Sequence, residues 1–165
     1  PTQSTRIINE TYNFKISKLV SDGKSVFFSN NKNEFYSVDI KTGTTNWTNE
    51  VNSSIMPIII GNLIFSVSDN GYLVVIEKNK GNIIRINDLF KGYKKKKRKS
   101  VSSVGFVIGN SKLYLTKTDG KMITVDLASG SILNEEKISG DFTSKPFIFN
   151  QYLFVIRNGS IVQFN

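Results

Sequence analysis

Three acids in this chain share one local spacing: Asp39 with Gly43, Glu77 with Gly81 and Asp126 with Gly130, each glycine four residues after its acid. Carboxylates could ligate a divalent ion or serve as general bases. They could equally accept backbone N–H bonds and so organise tight turns. The turn reading is preferred, because all three are tied to one phase of a repeat. The remaining chemical repertoire is narrow. The 165 residues include no His and no Cys, which removes the commonest general base, the commonest zinc ligand and the thiolate nucleophile. No catalytic, metal or cofactor residue is assigned, and the chain reads as a non-enzyme with no cofactor.

The other conspicuous residues are basic. The net charge is +9, and Lys91, Lys94, Lys95, Lys96, Lys97, Arg98 and Lys99 supply seven positive charges between positions 91 and 100. Subtracting seven from nine leaves +2 for the other 155 residues. A nucleic-acid binder usually spreads its basic residues over a face, so no nucleic acid is expected. Like charges this dense read first as a solvated, mobile loop that repels itself and extends. The sharper reading makes Lys94, Lys95, Lys96, Lys97, Arg98 and Lys99 a contact for an anionic surface or an acidic partner.

The elements that must carry these residues are short strands in a repeat. First-turn positions fall at Gly23, Asn62, Asn110 and Asn150, at intervals of 39, 48 and 40 residues, and the basic insertion accounts for the long one. Each copy strings together Val-, Ile-, Leu-, Phe- and Tyr-rich runs punctuated by Gly, Asn and Asp, which is strand composition with hairpin turns. No stretch has a helical period with caps. Four short strands per copy of about forty residues is the pattern of a β-propeller blade, and the fold class expected is all-β, a propeller of four-stranded antiparallel blades.

The expected division of a single partial-propeller domain (1–165) is a lone outer strand in 1–12, blades at 13–48 and 49–90, the basic inter-blade insertion at 91–100, a blade at 101–140, and a last blade at 141–165 lacking its outer strand. The segment Thr5–Tyr12 falls where an outer strand would precede the first full copy, so one terminus could complete the blade of the other. Phe27, Phe65, Tyr114 and Phe154 recur at one repeat position and read as core. Trp47 reads as packing between adjacent blades rather than as a ligand-stacking ring. No apolar run approaches the length needed to cross a bilayer.

The run from Tyr36 to Trp47 resembles the PQQ-like propeller repeat, through Ser37, Asp39, Gly43 and Trp47 in an Ala/Ser-x-Asp-x-x-x-Gly-x-x-x-Trp pattern. Arg85 and Asn134 stand at the tryptophan position of the next two copies. The closing Ser144-Lys145-Pro146 and Asn158-Gly159-Ser160-Ile161-Val162-Gln163 look most like the C-terminal part of the BamB-like members, which are outer-membrane protein assembly lipoproteins. That resemblance implies an eight-bladed ring in the periplasm at the outer membrane, serving as a non-catalytic scaffold for the barrel-assembly machinery. Four blades would be half such a ring, closing alone, with a second copy as a homodimer, or within a longer chain. The alternative it leaves open is a fragment of a quinone-dependent oxidoreductase, whose chemistry would need a bound quinone and a calcium-like ion.

Overall fold

The computed structural model describes residues 16–30, 32–140 and 143–164. The described residues are all-β apart from one helical turn, as the repeat implies. Its strands are β1 (Val20–Ser21), β2 (Ser25–Ser29), β3 (Phe35–Asp39), β4 (Thr45–Asn49), β5 (Ile58–Ile60), β6 (Leu63–Val67), β7 (Tyr72–Glu77), β8 (Ile83–Asp88), β9 (Ser103–Gly109), β10 (Lys112–Lys117), β11 (Lys121–Asp126), β12 (Ile132–Lys137), β13 (Phe147–Phe149), β14 (Tyr152–Arg157) and β15 (Ser160–Phe164). They form three four-stranded antiparallel meanders, β1–β4, β5–β8 and β9–β12, and a three-stranded one, β13–β15. The expected lone strand at Thr5–Tyr12 lies outside the described residues.

Positive-φ residues close the hairpins. Asn110 and Ser111 both have φ > 0, as do Asn150 and Gln151, the pairing that matches the twist of two flanking strands. All three complete blades carry an irregularity at one place, where the third strand meets the fourth: Ser37/Val38, Val75/Ile76 and Thr124/Val125. A shift in pairing register there bends the outer strand in each blade alike.

Each blade is apolar on both faces, so the core lies in the seams. Leu73, Val74, Val75 and Ile76 are consecutive in β7 and all buried, because their side chains alternate between two neighbouring blades. Val74 and Ile76 join Phe27, Phe35, Val51 and Ile64 in the first seam. Leu73, Val75 and Phe65 join Leu113, Leu115, Ile123 and Val125 in the second. Met122, Ile138, Leu153 and Val155 fill the third. Each such side chain contributes about 1.5–3 kcal/mol when fully buried. Phe27 and Phe65 are buried as expected, whereas Tyr114 and Phe154 are only partly so. Phe154 stacks on Phe147 at 5.4 Å between ring centroids on the side away from the third blade.

The basic insertion departs from expectation. Residues Lys95–Arg98 form one turn of helix, α1, rather than an extended loop. Like-charge repulsion along the run is overcome by contacts that fix its two ends, described below. No helix among the described residues is long and apolar enough to cross a membrane.

Candidate functional site

In an up-and-down meander, the second-to-third-strand hairpins and the blade-to-blade links emerge on one face. The basic insertion, linking β8 to β9, therefore shares a face with the hairpin turns at 68–71 and 118–120. Hydrogen bonds confirm the neighbourhood. Arg98 Nη1 pairs with Asp88 Oδ2 at 2.7 Å, and Nη2 donates to the Asn70 carbonyl at 2.9 Å. The guanidinium lies 4.9 Å from the centroid of the Tyr72 ring, and Asp88 holds its pKa up. Arg98 is thus an anchor, while Lys91, Lys94, Lys95, Lys96, Lys97 and Lys99 are all exposed.

Tyr93 anchors the other end of the insertion. Its hydroxyl donates to Asp119 Oδ2 at 2.7 Å and accepts from Lys117 Nζ at 2.5 Å. Lys117 is fully buried, and its ammonium also pairs with Glu135 Oε1 at 2.6 Å. Lys121 reaches the same carboxylate oxygen at 3.0 Å. Burial and the Asp119 carboxylate push the Tyr93 phenol up. Burial pulls the Lys117 ammonium below its usual range despite Glu135. Burial raises the Glu135 carboxyl, but the bonds from Lys117 and Lys121 outweigh it and leave its pKa lowered. The Lys117 Nζ sits 4.5 Å from the centroid of the Tyr93 ring and 5.6 Å from that of Phe90. Tyr93, Lys117, Asp119 and Glu135 come from the link, a strand, a turn and an outer strand, so no local spacing could have announced them.

The repeated acids are turn organisers at two of three positions. Asp39 Oδ1 accepts from the Lys41 and Thr42 amides, and Asp126 Oδ1 from the Ser129 amide. Glu77 differs: its longer side chain accepts from the Asn82 amide group at 3.0 Å instead of from the backbone. At all three, the glycine N–H closes the turn onto the acid's own carbonyl: Gly43 to Asp39, Gly81 to Glu77 and Gly130 to Asp126. Among the described residues, no three acids gather where an ion could be held.

Trp47 stands in the first seam as the sequence implied. Its indole Nε1 donates to the Lys78 carbonyl at 2.9 Å, and its ring stacks on Phe35 at 5.9 Å. Lys78 also crosses this seam to Asp22 at 2.8 Å, and that bond, with the Ser25 amide, lowers the Asp22 carboxyl to about 2. Lys18 and Lys145 help line a groove of about 430 Å³ along the innermost strands, floored by Ile58, Gly105, Phe106 and Phe147.

The comparisons agree with this architecture. A family profile described as outer membrane protein assembly factor BamB matches residues 3–87. No curated protein matches the chain. Among solved structures, BamB from Moraxella catarrhalis superposes with a TM-score of 0.71 at 14% identity, over 89% of this chain and 41% of that one. The computationally designed Ika4 protein gives 0.70 at 13% identity, over 94% and 93% of the two chains. The designed Ika8 protein gives 0.67 at 13% identity, over 88% and 44%. The chain therefore spans less than half the length of the BamB structure it matches.

Proposed function

The chain belongs to the PQQ-like repeat family of outer membrane protein assembly factor BamB, and from that premise we propose that it is a non-catalytic propeller scaffold. Its partner on this reading is the barrel-assembly machinery, and its place is the periplasmic side of the outer membrane. The observation that carries the reading is the anchored insertion. Arg98 and Tyr93 fix the segment at both ends, so the four exposed lysines between them, Lys94 to Lys97, project from a held loop face rather than from a loose tether, with exposed Lys91 and Lys99 just outside the anchors. A rigid β framework suits a scaffold, because it holds loops from several blades in constant relative positions. The lysine cluster then complements an acidic face on the partner, mainly by steering the encounter.

The test is site-specific photocrosslinking from positions 95 and 97 of the whole protein in intact cells. Adducts to a barrel-assembly component, weakened when Lys94 to Lys97 are replaced by Gln, are expected. Adducts only to unrelated proteins, or an unchanged pattern in the Gln variant, would overturn the reading. Fractionation of the envelope checks the location independently, and recovery in the cytosol would count against it.

A further inference from the structure

A groove of about 310 Å³ lies between α1 and the hairpin turn at 68–71. Its α1 wall is basic. Lys95, Arg98 and Lys99 line it together, because residues three and four apart share one side of a helical turn. Lys99 keeps helical backbone angles (φ −68°, ψ −20°), and its N–H donates to the Lys95 carbonyl at 3.4 Å, so the two lysines stand one turn apart. Lys94, Lys96 and Lys97 take no part in the lining, whereas Asn70, Tyr72 and Ser102 do.

The donors around this groove are held in place. Arg98 is fixed by Asp88, by the Asn70 carbonyl and by the Tyr72 ring. Those two hydrogen bonds use two of the five donors of a guanidinium. Ser102 is pinned to the neighbouring turn in both directions: its N–H donates to Thr118 Oγ1, and its carbonyl accepts from the Thr118 N–H, each at 2.9 Å. The acids beside the groove are engaged elsewhere. Asp88 Oδ1 accepts from the Phe90 N–H and its Oδ2 from Arg98, while Asp69 Oδ1 accepts from both the amide and the hydroxyl of Ser54. Lys95 and Lys99 pair with no carboxylate among the described residues. Like charges one turn apart repel, and an anion seated between them turns that repulsion into attraction.

We propose that this groove binds a phosphate group, carried by a lipid headgroup or free in solution. Lys95 and Lys99 meet its oxygens as point charges, Arg98 offers its remaining donors, and the Ser102 hydroxyl donates as well. A phosphate presents its oxygens in a tetrahedron, so it can satisfy donors that converge from several directions. A side-chain carboxylate offers only two oxygens in one plane, which a single guanidinium can saturate. One basic insertion thus has two uses: Lys94, Lys96 and Lys97 are exposed away from the groove, and Lys95 and Lys99 line it. The site is independent of the barrel-assembly partner and stands or falls without it.

The test titrates the whole protein at constant ionic strength with inorganic phosphate, and in parallel with acetate, following the amide resonances of Asn70, Lys99 and Ser102. Saturable shifts are expected with phosphate and much weaker ones with acetate. Replacing Lys95 and Lys99 together by Gln should weaken phosphate binding by about tenfold or more, since two charge-assisted contacts are lost. The charge-matched pair Lys94→Gln with Lys96→Gln should weaken it by less than about twofold, through screened long-range attraction alone. Flotation with phosphatidylglycerol vesicles, against phosphatidylcholine vesicles as the neutral control, separates the two sources. Capture by phosphatidylglycerol that the Lys95 and Lys99 replacements abolish identifies a headgroup, and phosphate binding without capture identifies a soluble phosphate; both support the site. Equal losses in the two double variants would mean diffuse charge rather than a site. Acetate binding as well as phosphate would mean a carboxylate site. Either result, or saturable binding of neither phosphate nor vesicles, overturns the proposal.

Discussion

The buried ammonium of Lys117 makes a sharp and unsymmetrical prediction. Replacing Glu135 by Gln leaves that charge in place without its counter-ion. Removing one partner of a buried pair commonly costs about 3–5 kcal/mol. Here the loss should be nearer 2 kcal/mol, because Glu135 is partly exposed and Lys117 keeps the Tyr93 hydroxyl and two ring faces. Replacing Lys117 by Met removes the desolvated charge itself and retains a similar apolar shape, so stability should stay within about 1 kcal/mol of the parent. The double variant should recover most of the Glu135→Gln loss. Urea unfolding followed by circular dichroism measures all three, and amide exchange in β10 and β11 against β2 and β3 shows that the effect is local. The pH dependence has a definite sign. Lys117 has a lowered folded pKa, so between that value and its ordinary 10.5 the unfolded chain binds the extra proton, and stability rises with pH. Glu135 has a depressed folded pKa, so its contribution is present above 4.5 and is lost as pH falls through the folded value. Lys117→Met should flatten the alkaline rise. A neutral Glu135→Gln beside a severely destabilised Lys117→Met would refute the reasoning.

Two further outcomes follow from the turns and the insertion. Gly81→Ala meets the Trp47 ring at a positive-φ position and should cost about 2–3 kcal/mol, whereas Gly61→Ala, with open space around it, should cost about 1 kcal/mol; equal losses by denaturant melts would show that the seam contact is not limiting. Arg98→Ala should release α1, quickening amide exchange over Lys99 to Val101 at least tenfold with less than about 1 kcal/mol lost globally. Unchanged exchange there would mean that Asp88 and Asn70 do not hold the turn.

What the sequence revealed of this molecule depended on how local the physics was. The Asp39 and Asp126 turns were legible because a short carboxylate meets amides two or three residues ahead, a contact the spacing alone determines. Glu77 broke that rule by one methylene, which carries its oxygen past the backbone to Asn82. The blades were legible because every copy alternates its apolar residues and ends on the same turn chemistry. The helical turn of the insertion is not legible in its run of like charges, because its restraints lie outside that run: Asp88 and Asn70 for Arg98, Asp119 for Tyr93. Lys117 was invisible as a buried charge, since a lysine ending a strand beside a turn ordinarily faces water. Only the packing of the link over β10 shuts it in.

The seams carry one last consequence, because Trp47 and Arg85 perform the same clasp with different chemistry. Both donate to the carbonyl of the residue after the repeated acid, Lys78 in one seam and Leu127 in the other. The indole has one donor and a large apolar face, packed on Phe35 and tilted against Phe27 at 6.0 Å. The guanidinium has several donors and reaches Ala128 as well. Trp47→Arg therefore keeps a donor for Lys78 but forfeits aromatic packing, and should cost about 2–3 kcal/mol. Trp47→Phe retains much of the packing and loses the hydrogen bond, at about 1 kcal/mol plus some lost area. The order of these two losses decides whether the clasp holds by its hydrogen bond or by its buried surface. Were Trp47→Arg the milder change in denaturant melts, the carbonyl contact would be the principal fastening, and Arg85 rather than Trp47 would represent the optimum of the repeat.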